Sequence, residues 1–208
     1  MVSYADFVTL LFALFVVLFA ASRADRNKAR QISIAVEEAL HSPTLHPIKQ
    51  QESAKLANPY DLQRAMQMLM EALKKEIRDG SVDLKLDHRG LVIGLNTVAF
   101  FPSGQDVIAP AAIPIIEKVT IVLNQFPNSL RIEGHTDSVP INTARFKSNW
   151  ELSAARSLAV LHLMIDHFGV DERRLAVAGY AANHRAGPDD TEEGRRRNRR
   201  VDIVVLNQ

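Results

Sequence analysis

The sequence contains no cysteine. That absence excludes disulfide staples, thiol nucleophiles and cysteine-ligated metal, and it is compatible with an oxidising, periplasm-like compartment without requiring one. Net charge is nearly absent as well: 25 lysines and arginines against 24 acidic residues leave +1 with histidine neutral. A general nucleic-acid binder would be strongly basic, so no nucleic-acid partner is expected. Catalytic signatures are missing. No serine stands in a strained Gly-x-Ser-x-Gly turn, and the seven histidines are scattered, with no H-E-x-x-H or paired-ligand spacing. The expectation is a protein without enzyme activity, metal or organic cofactor. Finally, no basic residue precedes the first apolar run and no A-x-A-type site follows it, which argues against a cleaved signal peptide.

That apolar run, Val2–Ser22, is the strongest feature present. As a helix it would span about 30 Å, the thickness of a bilayer hydrocarbon core. It holds one ionisable side chain, Asp6. A carboxylate inside a membrane is costly and marks a functional site by default. At about 100° per residue, Ser3, Asp6, Thr9, Ala13, Val17 and Ala20 share one stripe, and Tyr4, Leu11, Phe12, Phe15, Leu18 and Phe19 lie on the other side. Small and polar residues on one side point to packing against protein or a watered path. The plainer alternative is an ordinary anchor whose Asp6, about 6 Å from the helix start, sits among headgroups. Counted literally, Arg23, Arg26, Lys28 and Arg30 after the run place the C-terminal bulk in the cytoplasm.

Residues 23–41 read as an amphipathic helix, with Ile32, Val36, Ala39 and Leu40 at helical spacing. Residues 42–58, with Pro43 and Pro47 and little periodicity, read as a linker. Residues 59–208 are enough for one well-cored domain. Within them Pro59–Asp79 is expected to be one helix with the seam Leu62, Met66, Leu69, Leu73 and Ile77, in which Met66, Met68 and Met70 act as fillers of core and seam. Val82–Asp87 and Leu91–Leu95 read as a hairpin turned at His88-Arg89-Gly90, and Phe100–Gly104 reads as a loop. Pro110–Phe126 is expected to be a helix turning Ile113, Ile116, Val119, Thr120 and Leu123 inward. Ser129–Gly134 is a strand, Trp150–Phe168 a helix with a Ser148/Glu151 capping box, Leu175–Ala181 a strand and Val201–Leu206 the last strand. The alternation of strands and helices predicts an α/β sandwich in which helices cover one sheet.

Two polar clusters stand out. Gly134-His135-Thr136-Asp137 ends a strand. His135 and Asp137 invite a base-and-orienter reading, but with no nucleophile nearby the cluster suits binding of an amine or a sugar-peptide ligand instead. Five arginines in the six residues 195–200 follow Asp189, Asp190, Glu192 and Glu193. The expectation there is a solvated, partly self-paired loop, some of whose arginines grip carboxylates in two-pronged fashion.

Taken together, VSYADFVTLLFALFVVLFA resembles the membrane signature of the flagellar stator B-subunits, the MotB and PomB family. IEGHTD (Ile132–Asp137), NWELSAAR (Asn149–Arg156), VAGYA (Val177–Ala181) and NRRVDIVV (Asn198–Val205) resemble the OmpA-like peptidoglycan-binding domain. The resemblance implies a single N-terminal transmembrane helix (residues 1–22), a plug-like helix (23–41), a linker (42–58), and an OmpA-like domain with one mixed sheet (59–208). It implies a homodimer working with MotA-like membrane subunits in the bacterial inner membrane, its C-terminal domain in the periplasm, which overrides the literal charge count. The translocated species would be H+ or Na+, taken up at Asp6. Asp137 and Arg156 would grip the charged ends of the diaminopimelate of a peptidoglycan stem peptide, with Thr136, Asn149 and Arg200 supporting. The sequence departs from the family twice. It lacks the usual basic tail before the span, as a shortened sequence or misplaced start codon would, and Ser138–Ser148 is longer than in the shortest OmpA-like domains. A structural wall anchor, or a MotB-like part of another ion-driven envelope machine, is the alternative.

Overall fold

The computed structural model describes residues 8–16 and 59–207, without the side chains of Pro59 and Tyr60. The chain divides into two compact units, Met1–Ser53 and Ala54–Gln208. In the first unit residues 8–16 form helix α1, every side chain of which is exposed. Among the described residues no helix is long and apolar enough to cross a membrane. Most of the expected span, Asp6 with it, the helix expected over 23–41 and the linker over 42–58 lie outside the described residues.

In the second unit, alternation of side chains sets the architecture. β1 (Val82–Asp87), β2 (Gly90–Asn96), β3 (Leu130–Gly134), β4 (Leu175–Gly179) and β5 (Arg200–Leu206) form one sheet in the order β1-β2-β5-β3-β4. Every neighbouring pair is antiparallel except β3 and β4. A parallel pair needs a long crossover, and helix α6 (Asn149–Asp166) supplies it. On one face Leu91, Ile93, Leu95, Leu130, Ile132, Val201, Ile203 and Val205 are buried under α2 (Pro59–Ala72), α5 (Ile113–Leu123) and α6, which contribute Leu69, Ile116, Val160 and Met164 among others. The opposite face carries Asp83, Lys85, Arg131, Glu133, Arg200 and Asp202, with Val92 and Val204 buried among them. The expected α/β fold with one mixed sheet is what forms, with α2, α5 and α6 packed on one face of it.

Several boundaries differ from the expected ones. The first helix is interrupted at Leu73 and resumes as α3 (Lys74–Arg78), before Gly80 turns with φ +73°. Leu73 is itself fully buried, so the apolar seam continues through the break. Of the three methionines, Met66 and Met68 pack against the core, whereas Met70 is exposed. A short helix α4 (Thr97–Phe100) precedes the Phe100–Gly104 turn, capped by the Asn96 side chain, which accepts the Val98 N–H. The helix expected from Pro110 starts as a 3-10 turn and becomes α-helical at Ile113, whose side chain faces out, not in. The acidic and basic stretch expected as a loop contains helix α7 (Glu192–Asn198). Thr191 caps it by accepting the Gly194 N–H, and the Glu192–Arg195 and Glu193–Arg197 pairs lie three and four residues apart, where helical neighbours meet. The charge pairing read from the sequence is real, and helix is the geometry that achieves it.

Helix α6 starts at Ser148, whose hydroxyl accepts the Glu151 N–H; Glu151 in turn accepts the N–H of Lys147, one residue before the cap. The helix lies almost in backbone contact with the sheet. A Cβ added at Gly134 would stand 2.0 Å from the Ser153 carbonyl oxygen, so any side chain there forces the layers apart. Ser157, fully buried, donates to the Ser153 and Ala178 carbonyls and fastens helix to sheet. Gly134→Ala should therefore destabilise the domain by about 2–3 kcal/mol, read as a lowered urea midpoint. An unchanged midpoint would show that the helix is free to shift.

Candidate functional site

The end of β3, the start of α6 and the end of α7 converge. Beyond Gly134 the chain leaves the sheet, with the Thr136 N–H donating to Ala181 O at 2.9 Å. Ala181 holds φ +49°, a left-handed conformation uncommon for a residue with a side chain, and its own N–H donates to the Ser153 hydroxyl. This backbone frame fixes where Thr136 and Asp137 begin. Asn149, the first residue of α6, donates to Val139 O at 2.9 Å and to Asp137 O at 3.3 Å, tying the loop to the helix. Thr136, Asp137, Asn149 and Arg156 all line one cavity of about 660 Å³, together with Phe101, Val139, Ile141, Glu192 and Arg199. The volume suits a small ligand.

The cations of this cavity differ in kind. Arg156 is 5% exposed. Its Nε donates to Gln105 O at 2.9 Å, and its guanidinium lies 5.3 Å from the centre of the Phe101 ring. Among the described residues its terminal nitrogens have no carboxylate or carbonyl partner. Burial pulls its pKa down to about 10, with Asp106 and Asp137 pulling the other way. It is therefore a charged, largely desolvated fork at neutral pH whose free donors meet the cavity. Asp137 is engaged on both oxygens: Oδ1 accepts the Val139 N–H at 3.2 Å and Oδ2 accepts Arg199 Nη1 at 2.7 Å. Arg199 also donates to Glu192 at 2.7 Å. A carboxylate has about four lone-pair positions, so Asp137 keeps capacity for a cationic ligand group.

Of the residues singled out in the sequence, Thr136, Asp137, Asn149 and Arg156 come together, and Arg200 does not. As the first residue of β5 it lies on the far face of the sheet, where its Nε contacts both Asp202 oxygens at 3.1 and 3.0 Å and it lines a separate cavity. Arg199 is the arginine at the site, and sequence reasoning passed over it. The signal was available: alternation puts Val201, Ile203 and Val205 in the core, so Arg200 shares the opposite face with Asp202, and only Arg199, before the strand, escapes that pattern. The base-and-orienter reading of His135 and Asp137 also fails geometrically. His135 is buried beneath Tyr180, ring centroids 5.5 Å apart, and its Nε2 faces Asp202 at 3.5 Å and Glu133 at 3.9 Å, while Asp137 faces the cavity.

Glu133, His135 and Asp202 group their ligand atoms within 4.8 Å of one another, all buried. Glu133 accepts from Arg89 and Arg131, both at 2.6 Å, and Asp202 from Arg200. Three arginines already compensate two carboxylates there, so a dication would add uncompensated buried charge. The geometry is that of a structural charge network, compensated from within.

Comparison with known proteins places these features. Residues 100–199 match the OmpA family, and residues 1–40 match the family described as membrane MotB of proton-channel complex MotA/MotB. Motility protein B of Bacillus subtilis is 30% identical over 99% of this chain and 89% of its own length. Among solved structures, the cell wall anchor of the T6SS from Pseudomonas aeruginosa aligns with 67% of this chain and 97% of its own at 27% identity and TM-score 0.62. The periplasmic domain of Helicobacter pylori MotB aligns with 59% of this chain and 79% of its own at 28% identity and TM-score 0.55.

The buried imidazole gives a pH prediction. Burial lowers the proton affinity of folded His135, outweighing the opposing pull of Asp202, so the unfolded chain binds that proton more readily. Stability attributable to His135 is then lost as pH falls below about 6.5, the ordinary histidine value. Carboxylates such as Asp87, held at about 2 by Arg89, act at lower pH. The urea midpoint should fall between pH 7 and pH 5, and His135→Gln should flatten that fall. An equal slope in the variant would remove His135 from the account.

Proposed function

We propose, from the premise that this chain belongs to the motility protein B family, that it is a wall-anchored subunit of an ion-driven stator. In this reading the run Val2–Ser22 is a single membrane span, the second unit lies in the periplasm, and two copies assemble with MotA-like subunits. The described part of the run supports membrane embedding: Leu10, Phe12 and Phe15 are each about two-thirds exposed or more in this chain, and such a surface is covered by lipid or by partner helices. Asp6 is the point at which a proton or sodium ion is taken up and released. Moving one charge across the membrane yields about 2.3 kcal/mol per 100 mV, and a wall grip lets that energy act as force on a partner instead of turning the subunit itself.

The observation that carries the wall-binding part is the buried Arg156, charged and, among the described residues, lacking an anionic partner. A desolvated guanidinium is costly unless paired, and a ligand carboxylate entering the cavity completes it in two-pronged fashion. Asp137 then meets the ligand's ammonium, so the pair selects a zwitterionic end such as that of diaminopimelate in a peptidoglycan stem peptide. Thr136 and Asn149 shape the loop, and Arg199 orients the Asp137 carboxylate. Arg200 supports from beneath the loop, since its carbonyl accepts the His135 N–H, without its side chain reaching the ligand.

Asp137→Ala and Arg156→Ala should each weaken pull-down by isolated peptidoglycan by about 2 kcal/mol or more, over tenfold. Binding at the unsubstituted level in either variant refutes the site. Asp6→Asn should abolish swimming in a motile host that depends on this chain, at normal expression; retained swimming refutes ion coupling at Asp6. The likeness to the T6SS wall anchor supports a second reading, a MotB-like anchor of an envelope machine. Deletion that blocks export and spares motility would decide for it.

A further inference from the structure

The open face of the sheet carries a cavity that the wall-binding reading leaves unused. Its volume is about 640 Å³, its floor is formed by β1, β2 and β5, and one wall is α7. Lys85 on β1 and Arg196 on α7 both line it, and among the described residues neither has a carboxylate partner. The other cations there are partly spoken for: Arg200 by Asp202, Arg197 by Glu193 and Arg185 by Asp189. Arg196 reaches across the cavity edge, its Nη2 lying 3.2 Å from where a Cβ on Gly80 would stand. Two unpaired cations on separate elements thus face one concavity, with guanidinium groups beside them.

We infer that this cavity is a second binding site, for a phosphate-class oxyanion. Three features select that chemistry. Five basic side chains line the cavity against three acidic ones, Asp83, Glu193 and Asp202, and Asp202 is consumed by Arg200. Guanidinium forks match the spacing of phosphate oxygens, and lysine adds a compact point charge. Among the described residues no aromatic side chain lines the cavity, so it offers nothing for a base or ring to stack upon, and the anion itself must supply the recognition. The phosphate can be free or esterified to a glycerol-type polyol. Because the two cations sit on β1 and α7, a bound anion would bridge the outer strand of the sheet to the helix that presents Arg199 and Glu192 to the other cavity.

The test is isothermal titration of inorganic pyrophosphate into the full chain in neutral detergent at low ionic strength. Saturable binding is expected, weakened on the order of tenfold by Lys85→Gln and by Arg196→Gln, as loss of a hydrogen bond to a charged group implies. Both side chains are exposed, so these variants should keep the unsubstituted urea midpoint. Arg145→Gln, which removes an exposed cation elsewhere, should leave the affinity unchanged. Absence of saturable binding, unchanged affinity in both cavity variants, or an equal loss in Arg145→Gln overturns the inference. Glycerol 3-phosphate that competes at similar concentration assigns an esterified phosphate, and pyrophosphate binding that it fails to displace assigns a free one. Pyrophosphate binding should persist in Asp137→Ala, which separates this site from the wall-binding reading.

Discussion

The close approach of α6 to the sheet is the constraint on which the rest of the second unit depends. Gly134 and Gly179 both face this helix: a Cβ on the first would stand 2.0 Å from Ser153 O and one on the second 2.8 Å from Ala154 N. Without side chains at those positions the helix settles onto the parallel pair, Ser153 and Ser157 become fully buried, and their hydroxyls find backbone partners across the layer boundary. The same contact sets the functional geometry. It brings Asn149 and Arg156 from the helix to the loop carrying Thr136 and Asp137, so the depth of the cavity is fixed by packing that contains none of the charged groups.

The sheet separates two kinds of electrostatics. On its outer face the arginines 89, 131 and 200 compensate Glu133 and Asp202, and His135 sits among them as a neutral buried ring. Such internally balanced charge specifies register, because a strand slipped by one residue would bury these groups without partners. At the α6 end the balance is left open. Among the described residues Arg156 has neutral partners only, whereas Asp137 is held by Arg199. An unpaired buried cation costs stability, and its persistence is understandable where a ligand completes it. That contrast between a closed network and an open one is what sets the proposed binding site apart from the structural charge cluster.

A wall grip and an ion site serve one function only if they are mechanically joined. In the proposed reading the carboxyl at Asp6 changes charge as ions pass, and the grip of Arg156 and Asp137 on the wall keeps the subunit from moving with its partners. Neither group converts ion flow to force alone. In the inferred second site, an anion between β1 and α7 would load the helix whose Glu192 lines the other cavity.

The sequence alone determined most of the elements and the family resemblance. Alternating apolar residues in VDLKLD and VDIVVL, the apolar seam from Leu62 to Ile77 and the Ser148 cap are local signals, and local physics forms the corresponding strands, helix and cap. Asp137 and Arg156 were singled out because their motifs are contiguous, and the fold brings both to one cavity. What only the tertiary structure decided depended on partners distant in sequence. Helix α7 forms where charge composition suggested a loop, because its ion pairs fit helical spacing and Asn198, fully buried, ties its end to residues 186, 187 and 189. Alternation in VDIVVL already put Arg200 on the face of Asp202; what the fold added is the contact of Arg199 with Asp137, 2.7 Å between residues 62 apart in the chain. That His135 belongs to the charge network and not to the cavity was likewise decided by long-range pairing: its N–H donates to Arg200 O and its ring meets Asp202, a residue far along the chain.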